Sequence, residues 1–343
     1  MKLKIENRKV GDNEPSFIVA EIGSNHNQSF ELAIEMIDAA ADSGVDAVKF
    51  QTFKASEHYS KKSPEFNYLK NIDTYKLIES LELNREWQAS LKSHSEKKGV
   101  IFFSSPCDTD AVQSLKKINT PAYKIASFDL TDDRLIKEIA SIGKPLILST
   151  GMASLMEIQI AVNKAREAGN DNLILLQCTS LYPAPIHLSN LNAMSAMKKQ
   201  FKTLVGYSDH TLGEHIVLAS IALGACFIEK HFTLDQTLPG PDHSFAMEPK
   251  EFKMMVSNIR DIEQALGDGF KNGPREGEIE MAEKGKRSIH ANKNIKKGEI
   301  ITDKMLAIKR PGLGIQPFLR EIIIGRKAIC DITKDEWITW DMI

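Results

Sequence analysis

Cysteine is scarce in this chain, and what there is lies scattered. The four residues Cys107, Cys178, Cys226 and Cys330 form no CxxC pair, which argues against a disulfide scaffold or a structural zinc knuckle and leaves them as buried thiols. Long apolar runs are missing too. No stretch reaches the roughly 18 apolar residues of a membrane span, and Met1 to Gly11 alternates charge with isolated apolar positions where a signal peptide needs a continuous apolar core. Residence in the cytoplasm is the expectation. Nor does one sign of charge dominate: Lys+Arg at 44 against Asp+Glu at 46 leaves a formal charge of -2. No global field holds nucleic acid or an anionic membrane, so any anion must be bound by a local site.

What the chain does have is length and rhythm. Its 343 residues, 42% hydrophobic, are enough for one large domain plus a small one. Short β-branched and aromatic runs alternate with helical-period segments from Phe17 to about Gly267, the mark of parallel βα units. The eight strand candidates begin at Phe17, Ala47, Val100, Ala122, Leu146, Leu173, Thr203 and Cys226. Between them lie amphipathic helices such as Phe30–Gly44 and Met156–Ala168, with Gly44, Gly99, Gly143, Gly169 and Gly224 placed as helix C-caps. Eight such units predict an α/β fold, a (β/α)8 TIM barrel, over 1–268; a doubly wound sheet shares the same local pattern. The long insertion Ala55 to Leu83, with Lys61, Lys62, Tyr68, Lys70, Tyr75 and a short helix at Asp73–Leu81, reads as a lid or a surface excursion. A polar stretch over 269–286 reads as a linker, followed by a small turn-rich, Lys-rich domain over 287–343.

In such a barrel the chemistry belongs at the carboxyl ends of the strands. Read there, the sequence offers Glu21 with Asn25 and His26; Lys49 with Gln51; Ser104 and Ser105; Lys124 with Ser127 and Asp129; and Ser149 with Thr150. The last three ends add Thr179, Ser180 and Tyr182; Ser208, Asp209 and His210; and Glu229, Lys230 and His231. A polar group at every strand end points to one concerted polar site, because burying each alone would cost several kcal/mol. Two lysines among hydroxyls suit a phosphorylated or carboxylated substrate, and Ser149-Thr150-Gly151 at a strand-to-helix turn suggests an anion cradle of free backbone N–H groups. His210 and His231, at neighbouring strand ends, can point at one ion and leave coordination positions open, the arrangement of a catalytic metal. Glu21 beside them can orient water, move a proton or ligate the ion. His58, His94, His187, His215 and His290 have no comparable setting.

At these same residues the chain resembles the synthases of nonulosonic (sialic) acids, the bacterial N-acetylneuraminate, legionaminate and pseudaminate synthases. The motifs are Glu21-Ile22-Gly23 with Asn25-His26, Val48-Lys49-Phe50-Gln51-Thr52, Tyr123-Lys124-Ile125, Ser149-Thr150-Gly151-Met152, Tyr182-Pro183, Ser208-Asp209-His210-Thr211, Glu229-Lys230-His231-Phe232-Thr233 and Gly240-Pro241-Asp242. Together they span nearly the whole chain. The segment with Lys309-Arg310-Pro311-Gly312 is similar to the antifreeze-like (SAF) domain of these enzymes. The resemblance implies a transferase condensing phosphoenolpyruvate with an N-acetylated mannosamine-type sugar, and a domain-swapped homodimer in which Arg310 contacts the sugar's N-acyl group in trans. It implies a divalent metal, Mn2+ first with Mg2+ or Co2+ as substitutes, on His210 and His231. Phosphoenolpyruvate maps onto Lys49, Lys124, Ser127, Ser149 and Ser208, with Ser105 where many members have Thr. Gln51, Tyr182, Asp242 and Glu21 fall at the sugar.

Departures bear on the sugar. Ala126-Ser127-Phe128-Asp129 stands where neuraminate synthases commonly read Gly-Ser-Gly-Glu, and Ser180 where many have Asn. Both lean toward pseudaminate synthases, whereas Lys49 to Ala55 and Gly240-Pro241-Asp242-His243 lean toward the neuraminate and legionaminate branch. Two other classes compete: a Schiff-base aldolase using Lys124 or Lys49, and a binding module in which the C-terminal domain acts and the barrel is scaffold.

Overall fold

The computed structural model describes residues 1–64 and 72–343, which divide into two compact units, Met1–Gly267 and Asp268–Ile343. Tyr68 and Lys70 of the insertion lie outside the described residues.

In the first unit eight parallel strands close into a barrel. They are Phe17–Gly23, Ala47–Thr52, Ile101–Pro106, Tyr123–Ile125, Leu146–Ser149, Leu173–Cys178, Leu204–Asp209 and Phe227–His231, and the last pairs with the first. Helices follow the strands because their sequences carry an apolar stripe between good caps. In Phe30–Asp42, for example, Ser29 accepts from the Leu32 N–H, the stripe Ala33, Met36, Ile37 and Ala40 is buried, and Gly44 ends the run at φ +82°. Only a residue without Cβ enters that conformation freely. The two-residue period of the strands then sorts the barrel interior into levels. Phe17, Val19, Ala47, Phe103, Ala122, Ile147, Ile174, Leu176, Leu204 and Phe227 share a buried apolar floor, and two or four residues further on, in the same parity, stand Glu21, Lys49, Ser105, Lys124, Ser149, Ser208, Glu229 and His231. An apolar floor and a polar mouth are thus the same strand faces read at successive levels.

The opening residues are a structural element of their own. Lys2–Ile5 pairs antiparallel with Arg8–Gly11, and the buried Leu3, Ile5 and Val10 join the floor cluster. Fully burying Ile5 and Val10 stabilises the closed base by roughly 1.5–3 kcal/mol each. In the insertion, helices cover Ala55–His58 and Thr74–Glu79, the second capped by Asp73.

The second unit pairs Ser288–Ala291 antiparallel with Leu306–Lys309. It has a core of its own around Ile289, Ile295, Ile301, Ile315, Ile323 and Ile338. Within 269–286 lies the helix Ile279–Gly285. Among the described residues no helix is long and apolar enough to cross a membrane.

Candidate active site

The strand register sets Glu21 beside His231 on one side and Lys49 on the other. Lys49 Nζ lies 2.7 Å from Glu21 Oε2 and 3.7 Å from Glu229 Oε2, and Lys124 Nζ lies 3.7 Å from Glu229 Oε1. Lys49 also donates to Ser105 Oγ at 3.3 Å, Ser208 Oγ donates to Glu229 Oε1 at 3.1 Å, and Gln51 Nε2 donates to Glu21 Oε1 at 2.8 Å. The two lysines therefore converge, each on a buried carboxylate. Glu229 is named at its strand end in the sequence without a role, and the structure makes it the carboxylate on which both lysines converge. Its signal is parity: it lies two residues before His231 on one strand and shares its face, while Lys230 points the other way, 2.5 Å from Asp209 and 2.6 Å from the Thr211 carbonyl.

Burial and neighbouring charge separate the ionisations of these groups. Loss of solvent, assisted by the charge of Glu229, raises the Glu21 carboxyl against the pull of Lys49. Burial lowers Lys124, with Lys49 adding to it and Glu229 opposing. Lys49 is the reverse case: burial works against its charge, but Glu21 and Glu229 raise it. A carboxyl biased toward holding a proton beside fixed ammonium charge is suited to proton transfer.

Hydroxyls form the next part of the mouth. Ser149 Oγ and Ser180 Oγ are buried with no hydrogen-bond partner among the described residues, a costly state unless a ligand completes them. Between them sits Gly151, where a Cβ would fall 2.3 Å from Ser180 Oγ and 2.9 Å from Ser127 Oγ. The cradle of free backbone N–H groups expected at Ser149-Thr150-Gly151 is not there. Gly151 N–H donates to Ser127 Oγ at 3.0 Å and Thr150 N–H to the Leu176 carbonyl at 3.0 Å. The helix starts only at Leu155, behind a capping box of Ser154 and Glu157. Side-chain hydroxyls and ammonium groups, not main-chain N–H, are what this turn offers an anion.

On the opposite rim His210 and His231 stand with ring centroids 5.3 Å apart, Tyr182 packing 4.4 Å from His210. The Thr179 carbonyl can only accept, so His210 Nδ1 donates to it at 2.8 Å, and in the neutral ring Nε2 keeps a free lone pair. His231 Nδ1 is buried without a hydrogen-bond partner, 3.7 Å from Asp242 Oδ2. Burial, with the His210 charge second, holds His231 well below the ordinary histidine range and so keeps it neutral; burial and Glu21 lift Asp242 to about 6. Against its burial, the Cys178 thiol and the Thr179 carbonyl raise His210, so His210 offers Nε2 to a metal on giving up its proton, and with the neutral His231, its unpartnered nitrogen and the adjacent Asp242 it fits a divalent cation.

Gln51, Ser105, Asp129, Tyr182, His231 and Asp242 all line one cavity over the mouth. That cavity also takes in His58 and Cys107, two residues that look bland in sequence. Arg310 belongs to the second unit, its Nε donating to the Gly285 carbonyl at 2.6 Å.

The chain is similar to proteins of known kind. The N,N'-diacetyllegionaminic acid synthase of Campylobacter jejuni is 43% identical over 94% of this chain and 98% of its own length. That of Legionella pneumophila is 38% identical over 98% of this chain and 99% of its own. The crystal structure of N-acetylneuraminic acid (sialic acid) synthetase from Leptospira borgpetersenii superposes with a TM-score of 0.75 at 37% identity, covering 82% of this chain and 94% of that one. The family's own model matches residues 36–271 and the SAF domain model residues 286–343; the chain belongs to the NeuB family and carries a SAF domain.

Proposed function

We propose that this enzyme is a nonulosonic acid synthase that joins phosphoenolpyruvate to an open-chain N-acylated mannosamine-type sugar, and that its acceptor is the diacetamido sugar of the legionaminate type. The observation that carries the reaction is the set of buried, unpartnered hydroxyls Ser149 Oγ and Ser180 Oγ in a mouth that also holds the ammonium groups of Lys49 and Lys124. Such donors compensate the lost hydration of a carboxylate and a phosphate. The legionaminate reading is supported by the two relatives of that name, which match nearly end to end.

In this reading Lys49, Lys124, Ser105, Ser127, Ser149, Ser180 and Ser208 hold phosphoenolpyruvate, and Gln51, Tyr182 and Asp242 hold the sugar so that its aldehyde carbon faces C3 of the enol. His210 and His231 would hold a divalent ion, Mn2+ by preference, and such an ion would supply Lewis-acid polarisation of the aldehyde. C3 forms the new carbon–carbon bond as the aldehyde C=O π bond opens to an alkoxide. Water adds at C2 and gives up a proton to Glu21, which returns it to that alkoxide. The C2–O bond then breaks, so that phosphate leaves with the proton of the C2 hydroxyl as C2 becomes the ketone. Glu21 must be ionised to accept that proton, and its raised carboxyl makes it basic enough to do so. The same reading makes the working unit a homodimer in which one subunit's SAF domain closes the other's barrel mouth and its Arg310 meets the N-acyl group. Phosphate release from phosphoenolpyruvate, measured with Mn2+ and each of the neuraminate, legionaminate and pseudaminate precursor sugars, tests it. Release with the diacetamido mannose-type sugar is expected; release only with another sugar overturns the acceptor assignment.

A further inference from the structure

The cavity over the mouth holds a second set of metal-binding groups that none of these steps uses. One ligand atom each from His58, Cys107 and Asp129 lies within 4.8 Å of the other two, and all three residues line the cavity wall. Among the described residues no other three His, Cys, Asp or Glu groups come together so closely. They arrive from separate elements, each fixed by its own contacts. His58 ends the helix Ala55–His58, its ring between Phe53 at 6.1 Å and Tyr59 at 4.9 Å, its Nδ1 3.8 Å from Asp129 Oδ1. Cys107 follows the strand Ile101–Pro106 with its N–H on the Thr52 carbonyl at 3.0 Å; Asp129 closes the turn Ser127–Asp129 with its N–H on the Ala126 carbonyl at 3.0 Å.

We propose that His58, Cys107 and Asp129 form a binding site for a soft divalent cation of the Zn2+ class, and that an ion bound there shuts the acceptor sugar out of the cavity. The donor set decides the class. Nitrogen, sulfur and oxygen together suit Zn2+ or Cd2+, whereas Mg2+ and Mn2+ favour oxygen-rich sets. Thiolate and carboxylate bring two negative charges to a dication, the thiol releasing its proton as the metal–sulfur bond forms. Three protein ligands leave one tetrahedral position open to a further ligand, and all three residues line the cavity. The site differs from the His210 and His231 pair in its sulfur, which makes it spectroscopically separable. The binding half stands alone; the inhibitory half rests on the proposed function.

The test uses the full chain, freed of metal by chelator, in a Cys330→Ser background that removes the exposed thiol. Cd2+ is titrated and the ultraviolet sulfur-to-cadmium charge-transfer band is followed, with Cys178→Ser as control because Cys178 Sγ lies 3.8 Å from His210 Nδ1. The band is expected with and without Cys178 and is lost in Cys107→Ser. Asp129→Asn weakens Cd2+ binding by at least the roughly 10–100-fold that even outer-sphere partners are worth. No band in the parent, or a band that survives Cys107→Ser, overturns the site. In the Mn2+-loaded enzyme, Zn2+ at about ten times its dissociation constant raises the apparent KM for the sugar about tenfold, as competition requires. Cys107→Ser, compared with its own Zn2+-free KM, escapes this effect. Equal Zn2+ inhibition of both proteins overturns the inhibitory half, and absence of turnover with every sugar strikes the proposed function while leaving the Cd2+ result to stand.

Discussion

Replacing Gly151 by alanine inserts one methyl group where the site has no room for it. The new Cβ would lie 2.3 Å from Ser180 Oγ and 2.9 Å from Ser127 Oγ, and 3.3 Å from Ser127 Cβ. Normal van der Waals contact begins near 3.4 Å, so the Ser180 hydroxyl must swing away by about 1 Å or more, out of the position from which it would meet an anion. A hydrogen bond to a charged group contributes about 1.5–3 kcal/mol, so the apparent KM for phosphoenolpyruvate should rise roughly 10- to 150-fold. The glycine is not at positive φ, so the backbone tolerates alanine and the fold should persist. The effect should also be non-additive. Once Ser180→Ala has removed the hydroxyl, adding Gly151→Ala should cost little more, giving a coupling energy of about 1 kcal/mol or more in the double-mutant cycle. Steady-state phosphate release supplies the numbers, with denaturation midpoints to show that all three variants fold. An unchanged KM in Gly151→Ala, or strictly additive effects, would refute the assignment of these hydroxyls to the anion.

Further outcomes follow from the same geometry. His210→Ala or His231→Ala should abolish turnover with little loss of fold, and isothermal titration should show Mn2+ binding weakened in both; full activity in either overturns the metal assignment. Lys230→Met should leave Asp209 as an uncompensated buried charge and cost about 3–5 kcal/mol in denaturant unfolding, although Lys230 takes no part in the chemistry. His26 is fully buried and pushed by burial down to about 4. Between the unfolded value of 6.5 and that folded value the unfolded chain binds the extra proton, so stability is lost as pH falls. The loss should be about 2 kcal/mol at pH 5 relative to pH 8, absent from His26→Gln, and unfolding curves at the two pH values measure it.

The barrel was legible because each strand is an apolar run followed at once by a polar end, and the glycines closing the helices all sit at positive φ. His210, His231, Lys49, Lys124 and Glu21 were legible for the same reason, being the residues on which those runs stop. The hairpin Lys2–Ile5 and Arg8–Gly11 was not, since only Leu3, Ile5 and Val10 of its residues are buried apolar groups and the rest read as charged surface. The false N–H cradle arose from taking the strand-to-helix turn at Ser149-Thr150-Gly151 as open main chain; the Thr150 and Gly151 N–H groups are already taken by the Leu176 carbonyl and Ser127 Oγ, pairings across the barrel that no local pattern shows. Counting in twos from His231 would have put Glu229 in the mouth and Lys230 outside it. The approach of His58 to Cys107 and Asp129 could not, because it joins segments about 20 to 70 residues apart whose only shared property is where the barrel carries them.

The most direct test of the central claim is phosphate release from phosphoenolpyruvate in the presence of Mn2+, with and without the 2,4-diacetamido mannose-type acceptor. On that claim, release should require both the metal and the sugar and should stop on adding chelator. Sugar-dependent release that persists in excess chelator, or no release with any N-acylated sugar, would contradict it.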